Sequence, residues 1–98
     1  MKNAPQTIAS LFRDWEQANV AFSSPRGAGP ELIDRMEAIE EAMIQMVAYN
    51  YEEVVVKLRM LAHDDLPEIR RPDLAKSALA DLERILTAVP AYRQKGGA

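Results

Sequence analysis

The sequence predicts an all-α fold: a small helical bundle of about four helices, one domain over residues 1–98. Three observations predict it. Apolar residues recur at helical spacing in four separate stretches. Two segments built for turns, 23–30 and 64–72, divide those stretches. No stretch alternates as a strand does, and no internal repeat or low-complexity tract appears.

Thr7 is placed as the N-cap of the first helix. Ile8, Leu11, Phe12, Trp15, Ala18 and Phe22 follow on one face, with Arg13, Asp14, Glu16 and Gln17 opposite. Asn19 interrupts the apolar face. A buried amide without a partner costs about 1–3 kcal/mol, so it is expected to be hydrogen-bonded or near an edge. Ser23-Ser-Pro-Arg-Gly-Ala-Gly-Pro30 then forms a linker, since its prolines and glycines sustain neither regular structure. Gly27-Ala-Gly29 lacks the lysine, the hydroxyl and the preceding strand of a phosphate-binding loop.

Pro30 suits the first turn of a second helix, where no N–H is needed. Leu32, Met36, Ile39, Met43 and Met46 form a seam for an antiparallel neighbour. Asp34, Glu37, Glu41 and Gln45 face away. The seam resumes, shifted by one residue, as Val47, Tyr51, Val54, Leu58 and Leu61. One long, slightly rotated helix would satisfy both registers. Asn50 followed by Glu53 resembles a capping box with Asn in place of Ser or Thr, and favours a break there.

The third helix is the centre of the expected fold. Tyr51, Val54, Leu58, Leu61 and Ala62 share one face, bordered by Val55. Its far face carries Tyr49, Val56, Met60 and His63 among Glu52, Glu53 and Arg59. A helix apolar on two sides is buried on two sides, by its own chain or by a partner. Asp64 to Pro72 forms the second linker, with a short turn around Glu68–Arg70. The fourth helix opens near Pro72–Asp73, with Ala75, Ala78, Leu79, Leu82, Ile85, Leu86 and Val89 as its apolar stripe and Lys76, Asp81, Glu83, Arg84 and Thr87 on or beside the wet side. Pro90 is expected to help end it; residues 1–6 and 90–98 read as frayed ends. The core is expected around Trp15, Leu58 and Leu82.

Composition excludes several functions. An apolar share of 48% and a charged share of 28% argue against disorder. Cysteine is absent, so there is no disulfide framework and no thiolate chemistry. Met1-Lys-Asn-Ala-Pro-Gln-Thr7 lacks the apolar core of a signal peptide, and no apolar run has membrane-spanning length. A cytoplasmic location, away from membranes, is the expectation. A net charge of −3 disfavours a broad nucleic-acid surface. Arg70 and Arg71 are the one adjacent basic pair, and the linker around them is too long and too acidic for a helix-turn-helix.

The single histidine, His63, has no nucleophile arranged beside it, and His63-Asp64-Asp65 reads as a helix end rather than a metal site. Glu-x-x-His pairs of a di-iron bundle are missing. Glu37, Glu40 and Glu41, followed by Glu52 and Glu53, resemble the magnesium-binding helices of nucleoside-triphosphate pyrophosphatases. The second motif fails, because Val55 and Val56 stand three and four residues beyond Glu52, and Val56 and Lys57 beyond Glu53. No cofactor, metal or catalytic residue is assigned. A degenerate pyrophosphatase using Glu37, Glu40, Glu41 and Glu53 is the alternative reading, and a small DNA-binding factor the second.

Val54-Val-Val-Lys-Leu-Arg-Met-Leu-Ala62 and Ser77-Ala-Leu-Ala-Asp-Leu-Glu-Arg-Ile-Leu86, with Leu11…Trp15 and Leu32…Arg35-Met-Glu-Ala-Ile-Glu40, are similar to small helical proteins encoded in alphaproteobacterial genomes and their prophages. The resemblance implies a mobile-element context, in which short acidic helical proteins act by binding and blocking a larger protein. The expected function is therefore a non-enzymatic, protein-binding regulator or inhibitor of anti-defence or antiactivator type. Its expected partner is another protein, including a second copy of itself. The expected contact residues are Tyr49, Glu53, Val56, Arg59 and Met60 on the far face of the third helix.

Overall fold

A computed structural model describes the backbone of residues 6–23 and 29–97, and side chains as far as residue 88. It is all-helical, as the spacing predicts: α1 (Ile8–Ser23), α2 (Pro30–Gln45), α3 (Tyr51–Leu61), a single 3₁₀ turn (Glu68–Arg70) and α4 (Arg71–Gly97). Residues 1–5, 24–28 and 98, which include Gly27 of the first linker, lie outside the described residues.

Local chemistry sets the boundaries. Thr7 caps α1 reciprocally: its Oγ1 accepts from Ser10 N–H at 3.0 Å, and its own N–H donates to Ser10 Oγ at 2.9 Å. Pro30 occupies the first turn of α2. The break between α2 and α3 is present, with Met46 extended as the C-cap of α2 and Asn50 extended as the N-cap of α3. Asn50 Oδ1 accepts from Glu53 N–H at 2.9 Å, while Glu53 Oε1 reaches one residue past the cap to accept from Tyr49 N–H at 2.7 Å. Asn50→Ala removes one side of this box and should cost about 1 kcal/mol in urea denaturation, with Asn50→Asp close to wild type.

α1 packs on α2, α3 on α4, and α1 also meets α3. The first pair is antiparallel: Leu11 shares a cleft with Ala42, and Phe22 shares one with Ile33 at the other end. So is the second. Arg71 at the start of α4 donates to the Leu61 and His63 carbonyls, and Arg84, further along, donates to Ala48 O at 3.2 Å. The core is built from Ile8, Leu11, Trp15, Ile39, Met43, Ala48, Val54, Met60, Leu66, Leu74 and Ala78. Asn19 lies at its edge and donates to Asp65 Oδ2 at 2.8 Å, satisfying the amide in the apolar face.

Three expectations are corrected. Leu58 is 41% exposed and is not a core residue. α3 is rotated so that Lys57 and Met60 join Val54 on the inward face. Asp81 lies inside the bundle, not on the wet side of α4, because it is the partner of buried Lys57. Finally, α4 continues through Pro90 to Gly97. Proline's φ is helical, and the one hydrogen bond it forfeits is that to the Leu86 carbonyl, on a residue exposed to water.

Candidate interaction surface

The inward face of α3 is held by charge. Lys57 is fully buried, and its ammonium directs its three N–H groups to Met46 O, Ser77 Oγ at 2.7 Å and Asp81 Oδ2 at 2.6 Å. Ser77 Oγ in turn donates to Ile44 O at 2.8 Å, and Arg84 donates to the second Asp81 oxygen at 3.1 Å. The serine donates to a carbonyl and the lysine to a carboxylate, so this Ser–Lys contact ties α2, α3 and α4 together.

This rotation decides where the expected contact residues fall. Met60 is 0% exposed, so the expectation that it belongs to a free surface is corrected: it lies within the core cluster, where its flexible thioether packs. Val56 is half-buried against the same core. Tyr49 is 78% exposed in the segment before α3. Glu53 is half-buried and engaged in the cap, and Arg59 is exposed on α3. The five therefore do not form one patch; two lie inward, and three lie around the rim.

The open apolar face of α3 is made by Tyr51, Val55 and Leu58, all exposed. On α4, Leu79 (54% exposed) and Leu86 are open, with Leu82 half-buried beside them. These two sets stand on neighbouring, packed helices. Lys57 spans Ser77 and Asp81, which places residue 57 level with residue 79. At about 100° per residue, Leu58 and Tyr51 lie about 100–120° round α3 from Lys57. Leu82, Leu86 and Leu79 lie about 120–180° round α4 from the Ser77–Asp81 edge in the same numerical sense. In an antiparallel pair those senses are mirror images, so Leu58, Tyr51 and Leu82 turn past the helix–helix seam to the same side, while Val55 and Leu79, at about 160–180°, point away from the neighbouring helix. Sequence reasoning missed this surface because it assigned Leu58 and Tyr51 to the core.

The residues of the alternative readings are dispersed. Glu40 is buried and accepts from Trp15 Nε1 at 2.9 Å. Glu41 pairs with Arg70 at 2.8 Å, Glu37 contributes its backbone carbonyl to the same guanidinium, and Glu53 is in the α3 cap. Among the described residues no three of His, Asp and Glu are grouped to hold a metal ion. The Gln45 amide, and after it Arg70, hold the Glu41 carboxyl below its usual range. A lowered folded-state pKa favours folding above the unfolded pKa, and that contribution is lost as pH falls through the folded value. Arg70 contacts Glu40 and Glu41, and Arg71 donates to two backbone carbonyls. No described helix is long and apolar enough to cross a membrane. Comparison with protein-family models, curated proteins and solved structures finds no match to the chain.

Proposed function

We propose that this chain is a protein-binding regulator or inhibitor that acts through the open face of α3 and α4. One observation carries the reading: Tyr51, Val55, Leu58, Leu79 and Leu86 stand exposed on two neighbouring helices of a bundle whose core is built from other residues. Exposed apolar residues grouped on adjoining helices are a better marker of an interaction site than ones scattered singly. The likeness to prophage-borne helical proteins adds the idea that the partner is a larger protein blocked by occupancy.

Val55→Lys/Leu58→Lys tests it. Lysine is a better helix former than valine, its stem lies along apolar surface, and residue 58 is near the helix C-terminus, where positive charge is favourable. The variant should keep its circular dichroism spectrum and melt within about 4–8 °C of wild type, the shift expected for ~1 kcal/mol in a domain this small. Proteins captured from a host lysate by the wild type should be lost from the variant. Equal capture by both would overturn the reading, as would magnesium-dependent hydrolysis of a nucleoside triphosphate that disappears in Glu41→Ala.

A further inference from the structure

We propose that a groove between α1, α2 and the segment 64–70 receives an arginine-bearing, partly apolar segment of a partner protein. The inference goes beyond the α3/α4 face and does not depend on it. Two adjoining clefts, of about 310 and 410 Å³, form the groove, and Glu37, Glu40 and Pro67 line both. Shared walls make them one elongated depression, which suits an extended chain better than a compact ligand.

Charge selects the occupant. The first cleft carries the carboxylates of Glu37, Glu40 and Asp65, and among the described residues no lysine or arginine lines it. The second adds Asp73, against the single cation Arg70. That guanidinium is shared with Glu41, which lines neither cleft. Among the described residues the Glu37 carboxylate enters no ion pair. Asp65 accepts from the Asn19 amide at 2.8 Å, and the ring nitrogen nearest it, His63 Nδ1 at 4.0 Å, is itself accepting the Asp65 N–H. Glu40 is 3% exposed; its Oε2 is held by Trp15, while its Oε1 faces Arg70 Nε at 3.3 Å and receives no hydrogen bond. A buried carboxylate oxygen short of a donor favours one supplied from outside. The walls are apolar: Phe22 and Ile33 stand exposed on the first cleft, and Ile69 on the second. Carboxylates set among apolar walls match a side chain with an apolar stem and a cationic head, and the forked guanidinium of arginine fits carboxylates best. A bare divalent cation does not fit, since among the described residues no three acidic or histidine groups are close enough to hold one.

A hexapeptide alternating leucine and arginine, with blocked ends, is the probe. Isothermal titration calorimetry at low salt should give a Kd of about 0.1 mM or tighter. The same peptide with citrulline for arginine keeps its shape and loses its charge, and should bind about tenfold more weakly or not at all. Glu37→Gln/Asp65→Asn should weaken binding of the arginine peptide about tenfold, with an unchanged circular dichroism spectrum. Glu52→Gln/Glu83→Gln removes as many exposed carboxylates from α3 and α4 and should leave the Kd within about twofold of wild type. Equal losses in the two double variants would trace binding to the overall acidity of the chain and overturn the proposal. No binding up to about millimolar peptide overturns it, as does a citrulline peptide that binds equally well. Markedly tighter binding by Arg26→Gln would assign the groove to the chain's own linker, and displacement of the peptide by an equal concentration of spermidine would assign it to free polyamines; either result overturns the partner segment.

Discussion

Replacing Lys57 by methionine is expected to cost about 3–5 kcal/mol of folding stability, the penalty for leaving one member of a buried ion pair behind. Methionine fits the volume, so packing is not the cause. Asp81 is 2% exposed and would keep only the Arg84 guanidinium, itself half in water. Met46 O and Ser77 Oγ would lose their donor as well. Three elements are released at once, because the ammonium touches the end of α2 and two places on α4. Urea denaturation followed by circular dichroism measures the loss. The companion variant Lys57→Met/Asp81→Leu removes both charges and should regain much of it, since a buried pair replaced by apolar residues is often neutral. A loss below about 1 kcal/mol in the single variant would mean that water reaches Asp81 and that the cluster is not the fastening described.

The same residue explains what was and was not legible in the sequence. Helix ends were legible wherever a local side chain sets them, as at Thr7, Pro30 and Asn50, because capping partners lie within four residues. The seam through Ile39 and Met43 was legible because its apolar spacing has no rival on α2. α3 has two apolar arcs, and hydropathy selects the one through Tyr51, Val54, Leu58 and Leu61, bordered by Val55, over an arc interrupted by Lys57. The choice is reversed by an aspartate 24 residues away, a pairing that helical periodicity does not encode. A signal did exist: one lysine lies between Val54 and Met60, and one aspartate lies between Ala78 and Ile85, opposite charges set into two otherwise apolar stripes. Read together, they would have turned α3 by about one residue, moved Met60 inward, and exposed the face that now forms the candidate site. Glu40 was hidden in the same way, grouped with surface glutamates although a buried indole N–H needs an acceptor.

That indole supplies the other large effect. Trp15 is fully buried, stacks near Phe12 at 6.3 Å between ring centroids, and meets the His63 ring edge-on at 4.8 Å. Trp15→Ala should cost about 3–5 kcal/mol through lost burial and the cavity left behind. Trp15→Phe isolates the polar part. It keeps an aromatic ring but deprives the Glu40 Oε2 oxygen of its donor, at an expected cost of about 1–3 kcal/mol. The other oxygen offers little compensation, since Arg70 Nε stands 3.3 Å away without a well-formed hydrogen bond. In the Trp15→Phe background, Glu40→Met should therefore restore stability rather than reduce it further. Arg70 keeps its contact with Glu41 at 2.8 Å, so removing Glu40 leaves the cation paired. Circular dichroism is the readout, because the only tryptophan has been removed. If Glu40→Met lowers stability equally with and without the indole, the two side chains are not coupled and the cost of Trp15→Phe is packing alone.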